Sequence, residues 1–427
     1  MENKEITILG SGLTGCLTAY KLAKKYPKKK IYLIDGSKNI LSGLNSVNIS
    51  KHRVNNGYHG IDVNRNLPLY NFFKKKIKIS FKLFKDNRKI ILNNLQLKEG
   101  ASIDQYPKEI KKLFKIKKIK DKSCIKIYNK LPNLYKDIFS RVTKRYSGIL
   151  KDDLRFFIPW FLPKEFQLIS NDEGDLFRKK VRNNKIDSYI AYPKKDLFEI
   201  LVKQFKKILK DIPNIYILLN TKLFVENEKF FLKRKNDIIR LESKYLIITT
   251  NVPFFLKKVM RLISNKKMNR RFFNLTLIKT NKFKHDFTET IIADKKNSSF
   301  MRLSKKKQGL TNYFLLESIL KNPKIVSKLI NSKKLENLLK SVGNKKNTNP
   351  KILGQKITRT IYFPNKSFLK KLSQQTKIEF KKLKNKNKNI SIFSSFVFSP
   401  LNMSKCWNES ERYLNEISKS ISNESAR

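Results

Sequence analysis

The sequence predicts an α/β protein of two domains, and three observations carry that expectation. The stretch from Met1 to Asp35 alternates strand, helix and strand; a Gly-x-Gly-x-x-Gly run fills its first turn; an acid closes its second strand. Ile6-Thr7-Ile8-Leu9 has the character of a short buried strand. Cys16 to Tyr26 follows as a helix stopped by Pro27, and Ile31-Tyr32-Leu33-Ile34 as a second strand ending in Asp35. Between the first strand and the helix lies Gly10-Ser11-Gly12-Leu13-Thr14-Gly15. Gly10 permits the tight turn, Gly12 leaves bare main chain where a diphosphate could approach, and Gly15 lets the helix pack close to the strand. The free N–H groups at the helix start carry partial positive charge toward such an anion. Asp35 can accept hydrogen bonds from the two ribose hydroxyls of an adenosine and would repel a 2′-phosphate, which disfavours NADP. The expectation is a Rossmann-like, dinucleotide-binding domain; the plainer alternative is a glycine turn with a solvated acid.

With 427 residues the chain can bury large cores, hence the expectation of two domains. No apolar run reaches the ~18 residues of a membrane span, and the glycine motif begins too soon after Met1 for a signal peptide. Cys16, Cys124 and Cys406 are far apart and outline neither a metal site nor a disulfide framework, which fits a reducing cytoplasm. The formal charge of +61, from 95 basic and 34 acidic residues, points on its own to nucleic acid or an anionic membrane. Yet the excess is mostly Lys, accompanied by abundant Asn, Ile and Phe, all with A/T-rich codons. The Lys-rich runs are also scattered, at Lys28-Lys30, Lys74-Lys76, Lys115-Lys118, Lys305-Lys307 and Lys381-Lys388. The expectation is a solvated surface compatible with an anionic substrate; nucleic acid is not expected, and peripheral membrane contact stays open.

Past Asp35 a small-residue turn, Ser42-Gly43, precedes Gly57-Tyr58-His59-Gly60. Leu69 to Phe73 starts a helix, and Lys78 to Leu97 alternates as strands do. Asp104 to Tyr146 is mostly helical in spacing, and Phe156 to Pro163 is an aromatic patch bracketed by prolines. Tyr189 to Pro193 leads into an amphipathic helix with Leu197, Ile200, Leu201, Phe205, Ile208 and Leu209 on one face. Ile215 to Leu219 is a strand followed by Asn220-Thr221-Lys222-Leu223; Phe230-Phe231-Leu232 and Ile238-Ile239 form a hairpin; Tyr245 to Ile248 is a buried strand ending in Thr249-Thr250. Thr290 to Asp294, Ser299 to Leu303 and Tyr313 to Glu317 are neighbouring strands of one sheet, and Lys321 to Leu339 an exposed helix. Ile390 to Phe393 is a last strand, then come Ser394-Ser395, Pro400-Leu401-Asn402-Met403 and a helix from about Ser404 to Ile421.

In this order the chain resembles the FAD-dependent amine oxidase and protoporphyrinogen oxidase superfamily, which also includes UDP-galactopyranose mutase. Ser42-Gly43 stands where that superfamily has a second glycine pair, and Gly57-Tyr58-His59-Gly60 matches its later His-bearing turn beside the flavin. The resemblance implies a Rossmann-like FAD-binding domain of discontinuous segments, 1–65, 186–253 and 374–427. It implies an inserted α+β substrate domain at 66–185 and 254–373. It implies FAD held by Gly10, Ser11, Gly12, Leu13, Thr14, Gly15, Asp35, Gly43, Leu223, Asn402 and Met403. Where the family usually has Gly-Asp after its last strand, this chain has Ser394-Ser395.

A flavin carries the electron chemistry itself, so no acid-base constellation is required, and none is evident. His59 is the candidate acid-base group, set against a structural histidine in a turn. Arg302 could clamp a carboxylate or phosphate, set against a sheet-edge ion pair. Tyr192 and Tyr313 could line the substrate face, set against core packing. His52 and His285 are expected at the surface, and Cys16 is expected to pack. The expected function is flavin-mediated hydride transfer from a small or medium substrate. The alternatives are a flavin-dependent sugar-nucleotide mutase and a flavin-free scaffold of the same fold, which Ser394-Ser395 would permit.

Overall fold

The computed structural model describes residues 4–56, 60–63, 66–85, 88–92, 95–98, 189–194, 197–226, 229–250, 268–280, 289–292, 300–305, 313–320, 331–342, 349–364, 391–393 and 403–425, with positions 133, 322, 378, 381, 382 and 385. Strand β1 (Lys4–Leu9), helix α1 (Leu13–Lys25) and β2 (Ile31–Ile34) open the chain. A 3-10 turn at Ser42–Leu44 precedes the hairpin β3 (Ser46–Ile49) and β4 (His52–Asn55). Then come β5 (Ile61–Asp62), α2 (Leu67–Asn71) running into a π turn at Phe72–Lys76, β6 (Phe81–Lys85), β7 (Arg88–Leu92) and β8 (Leu95–Lys98). After β9 (Tyr189–Pro193) and α3 (Glu199–Lys210) follow β10 (Ile215–Leu218), β11 (Thr221–Glu226), β12 (Lys229–Arg234), β13 (Asp237–Arg240) and β14 (Ser243–Ile248). The rest comprises β15 (Met268–Lys279), β16 (Glu289–Ile292), β17 (Phe300–Lys305), β18 (Tyr313–Leu320), α4 (Ser332–Val342), β19 (Lys351–Pro364), β20 (Ser391–Phe393) and α5 (Met403–Ser425).

The first sheet has five strands in the order β10-β2-β1-β14-β20, each neighbouring pair parallel. Numbered along the chain, that order is third, second, first, fourth, fifth, the doubly wound arrangement whose direction reverses beside β1. Both faces must be covered in such a sheet, and Ile31 to Ile34 are all buried accordingly. Helix α1 covers it with Cys16, Leu17, Ala19, Leu22 and Ala23, and α3 adds Leu201, Phe205 and Leu209 to the same core. Helix α5 lies along α1 in the same direction: Cys406 meets Thr14, Lys21 bonds Ser410 and Glu411, and Lys25 bonds Ser418.

The second large sheet has seven strands, β19-β15-β18-β17-β16-β7-β8. It joins β7 and β8 to strands almost two hundred residues later, with β7 parallel to β16. The three strands expected side by side are β16, β17 and β18, and they are neighbours here. One face packs on α4 through Ile278, Leu303, Phe314 and Leu316. The other packs on the β3–β4 hairpin through Ile49, Val54, Leu275, Leu277 and Leu315. Helix α4 is therefore not the exposed helix expected from its lysines: Leu335, Leu338, Leu339 and Val342 are 0 to 3% exposed. A lysine-rich helix can still carry an apolar stripe, and this one meets a sheet face. His52 likewise departs from expectation, half-buried on β4 with its ring 5.1 Å from that of Tyr313. Asp104 to Tyr146, apart from position 133, the patch at Phe156 to Pro163, Cys124 and His285 lie outside the described residues.

Candidate functional site

The site begins where β1 ends. Gly10 has φ +105°, a conformation that disfavours any side chain, and a Cβ there would sit 2.8 Å from Thr249 Oγ1. A Cβ on Gly15 would sit 1.9 Å from the Gly10 carbonyl oxygen, so only glycine lets α1 start this close to the turn. A Cβ on Gly12 would meet nothing within 4 Å. The three glycines thus divide into two with packing roles and one that faces open space. Thr249 closes the turn from β14, donating from Oγ1 to the carbonyls of Leu9 and Gly10, each at 2.9 Å. This puts the open glycine between the ends of β1 and β14, at the topological switch point, where doubly wound sheets hold their ligands.

The first hydrogen bond of α1 runs from the Cys16 N–H to the Gly12 carbonyl at 3.0 Å. The amides of Leu13, Thr14 and Gly15 precede it and have no carbonyl one turn back within the helix. No acid sits in the first turn of α1. The parallel alignment of α1 and α5 brings the start of α5, at Met403, to the same end, so two positive helix termini lie together.

Ser11 does not offer its amide to a ligand. Its N–H donates to Asp35 Oδ2 at 2.6 Å and its hydroxyl to the same oxygen at 2.9 Å. Asp35 Oδ1 accepts the Ser37 N–H at 2.8 Å. The acid expected to face only a ribose is therefore also the tie between the glycine turn and the end of β2. The Ser11 carbonyl accepts the Leu41 N–H at 2.7 Å, which docks the Ser42–Leu44 turn against the glycine loop. Gly43 in that turn again has nothing within 4 Å of its Cβ position. The carbonyl of Asp35 accepts the Thr221 N–H at 3.0 Å, so β11, with half-buried Leu223, starts beside the acid.

Thr249 and Thr250 were visible in the sequence only as a small polar end to a strand. Thr250 Oγ1 is buried without a hydrogen-bond partner, and its methyl carbon lies 2.9 Å from the Cβ position of Gly10. Both thiols beside the loop are buried. Burial, with the Asp35 charge behind it, pushes the Cys16 thiol far up, and Cys16 Sγ donates to the Ser11 carbonyl at 3.3 Å. Burial pushes the Cys406 thiol up to about 11 against a lowering contribution from its Thr14 hydrogen bond.

Arg302 and Tyr192, two of the residues proposed for chemistry, stand on different sheets. Arg302 makes the ion pair set against its clamping role, but on β17, an interior strand, and not at a sheet edge. Its Nε and Nη2 both donate to Glu317 Oε2, at 2.9 and 2.7 Å, and Glu317 is fully buried. Burial is tolerable for that carboxylate because a guanidinium neutralises it. Tyr192 is buried in the main core on β9, edge-on to Phe84 at 5.8 Å. Its hydroxyl lies 3.2 Å from the Cβ position of Gly60, which places the end of the Gly57-Gly60 turn against β9. His59, Asn402 and Ser394-Ser395 lie outside the described residues.

The sheet order, the glycine turn and the paired helix termini define a doubly wound α/β protein with open main chain at the end of its first strand. Comparison with solved structures adds the fold family. A reduced UDP-galactopyranose mutase matches with a TM-score of 0.63 at 12% identity, over 98% of this chain and 94% of that one. A candidate protoporphyrinogen oxidase from Exiguobacterium sp. 255-15 matches with a TM-score of 0.57 at 11% identity, over 98% and 100%. A Rab GDI from Plasmodium falciparum matches with a TM-score of 0.51 at 14% identity, over 97% and 98%. The chain shares its fold with these proteins. No protein-family profile and no curated protein matches it. At such identities the shared property is the fold, which serves an oxidase, a mutase and a GDI alike.

Proposed function

We propose that this chain is an FAD-dependent oxidoreductase acting on a small or medium substrate. The observation that supports it best is the open space over Gly12, flanked by the free amides of α1 and the start of α5. Open space bordered by bare main chain and two positive helix ends suits a diphosphate. Bound FAD would supply the hydride acceptor. The chain would hold its diphosphate with the amides of Gly12, Leu13, Thr14 and Gly15, its ribose with Asp35, and its flanks with Gly43, Leu223, Asn402 and Met403. Ser11 would act indirectly, fixing the Asp35 carboxylate in place. On the substrate side we assign His59 to proton transfer, Arg302 to an anionic substrate group and Tyr192 to the wall behind the His-bearing turn. Arg302 would work as a preset cation, its guanidinium plane fixed by Glu317.

The test is to purify the protein, look for flavin absorbance, release the flavin with acid and identify it, then screen substrates for dye reduction. Bound FAD with dye reduction supports the proposal. Turnover of a sugar nucleotide only after flavin reduction would establish the mutase instead. A colourless protein that cannot be reconstituted would establish the flavin-free scaffold.

A further inference from the structure

Strands β11, β12 and β13 form an antiparallel meander whose two faces differ. The register puts Phe230 and Leu232 on the inner face, at 2 and 3% exposure, with Leu223 opposite Leu232. The outer face carries Phe224 opposite Phe231, and Lys222 opposite Lys233, with Ile238 and Arg240 completing the row on β13. The Phe224 and Phe231 rings stack at 5.4 Å and 19°. Ile238 is 58% exposed and its neighbour Ile239 50%, on a strand exposed at all four positions. Lys222, Lys229 and Lys233 are exposed on the same face as this apolar row. Glu226, the acid on the outer face, sits opposite Lys229, and Glu242 lies 3.7 Å from Arg240.

We propose that the outer face of this meander docks on a bilayer surface bearing anionic headgroups. On this face the edge strand exposes one isoleucine, Ile238, while Ile239 pairs with Leu232 on the other, and an exposed apolar edge is a liability unless something covers it. The lysines give that cover its sign: their stems extend the apolar surface and their ammonium groups suit acidic headgroups. The apolar residues are an aliphatic chain and two rings stacked on each other, which suits insertion among acyl chains better than the stacking of nucleobases. A patch of this size gives reversible attachment, and the proposal does not depend on what binds over Gly12.

The test must separate this face from the protein's general positive charge. Full-length protein is floated with vesicles of phosphatidylcholine alone or with added phosphatidylserine. Binding is expected only with phosphatidylserine, and Ile238→Asp should weaken it by about tenfold or more at unchanged thermal stability. Lys222→Glu with Lys233→Glu should weaken it further than Lys74→Glu with Lys75→Glu, the same charge change placed elsewhere. Equal losses from both charge pairs, or undiminished binding by Ile238→Asp, would overturn the proposal. So would binding of a single-stranded oligonucleotide, or a dimer abolished by Ile238→Asp, in protein that ignores the vesicles.

Discussion

At the residue scale the three glycines of the first turn make separable demands. Gly12 has φ −68°, ordinary for any L-residue, and open space at its Cβ position. Gly12→Ala should leave stability within about 0.5 kcal/mol of the parent and weaken flavin retention. Gly15→Ala must force α1 away from the Gly10 carbonyl and should cost about 2 kcal/mol. Urea denaturation beside flavin release would show the two effects apart; equal destabilisation by both would refute the division of roles. Asp35→Ala removes an acceptor of three hydrogen bonds within the protein, so it should loosen the turn even in protein stripped of ligand. Cys406 ionises near 9.0 when unfolded and at about 11 when folded. Its folded state therefore retains the proton over that range while the unfolded state loses it. Its contribution to stability is complete below pH 9 and declines as pH rises toward 11. Thermal melts across that window should show a decline that Cys406→Ala reduces.

At the element scale the α1–α5 contact deserves a test because it aligns the two helix starts. The Lys21 side chain is 9% exposed, pairs with Glu411 at 2.6 Å, and lies 3.4 Å from the centre of the Trp407 ring. Tyr413 anchors the same helix to β14, its hydroxyl donating to the Ile248 carbonyl at 3.2 Å. Glu411→Ala leaves a mostly buried ammonium with less compensation. The expected loss is about 1 to 2 kcal/mol, below the value for a fully buried pair because Glu411 is 42% exposed. Lys21→Met should cost less, since the Glu411 carboxylate it leaves behind is 42% exposed and open to water. In α4, Leu338→Ala should cost about 2 to 5 kcal/mol, as expected of a buried stripe and not of the solvated helix that its lysines suggested; a loss under about 0.5 kcal/mol would contradict that packing.

At the scale of the whole molecule, two sheets are each assembled from distant parts of the chain. The parallel sheet draws on residues 4–9, 31–34, 215–218, 243–248 and 391–393, and the mixed sheet joins 88–98 to strands between 268 and 364. The β3–β4 hairpin bridges them, with Ser50 Oγ donating to the Leu353 carbonyl at 2.6 Å. What the sequence by itself determined is the glycine turn, the βαβ start, the strands β10, β14, β16, β17, β18 and β20, the β12–β13 hairpin and the helices α3 and α5; the β3–β4 hairpin and the two longest strands, β15 and β19, were not among its expectations. Backbone sterics and hydrophobic period act within a few residues and leave their mark there. What only the tertiary structure decided is which polar groups are taken. Ser11 and Asp35 bond to each other, Arg302 is matched to Glu317 from the neighbouring strand, and Lys21 to Glu411, 390 positions away. Thr249 and Thr250 reach the first turn only because β14 lies beside β1. Charge attraction and desolvation depend on distance in space, which a linear chain does not record until its sheets have formed.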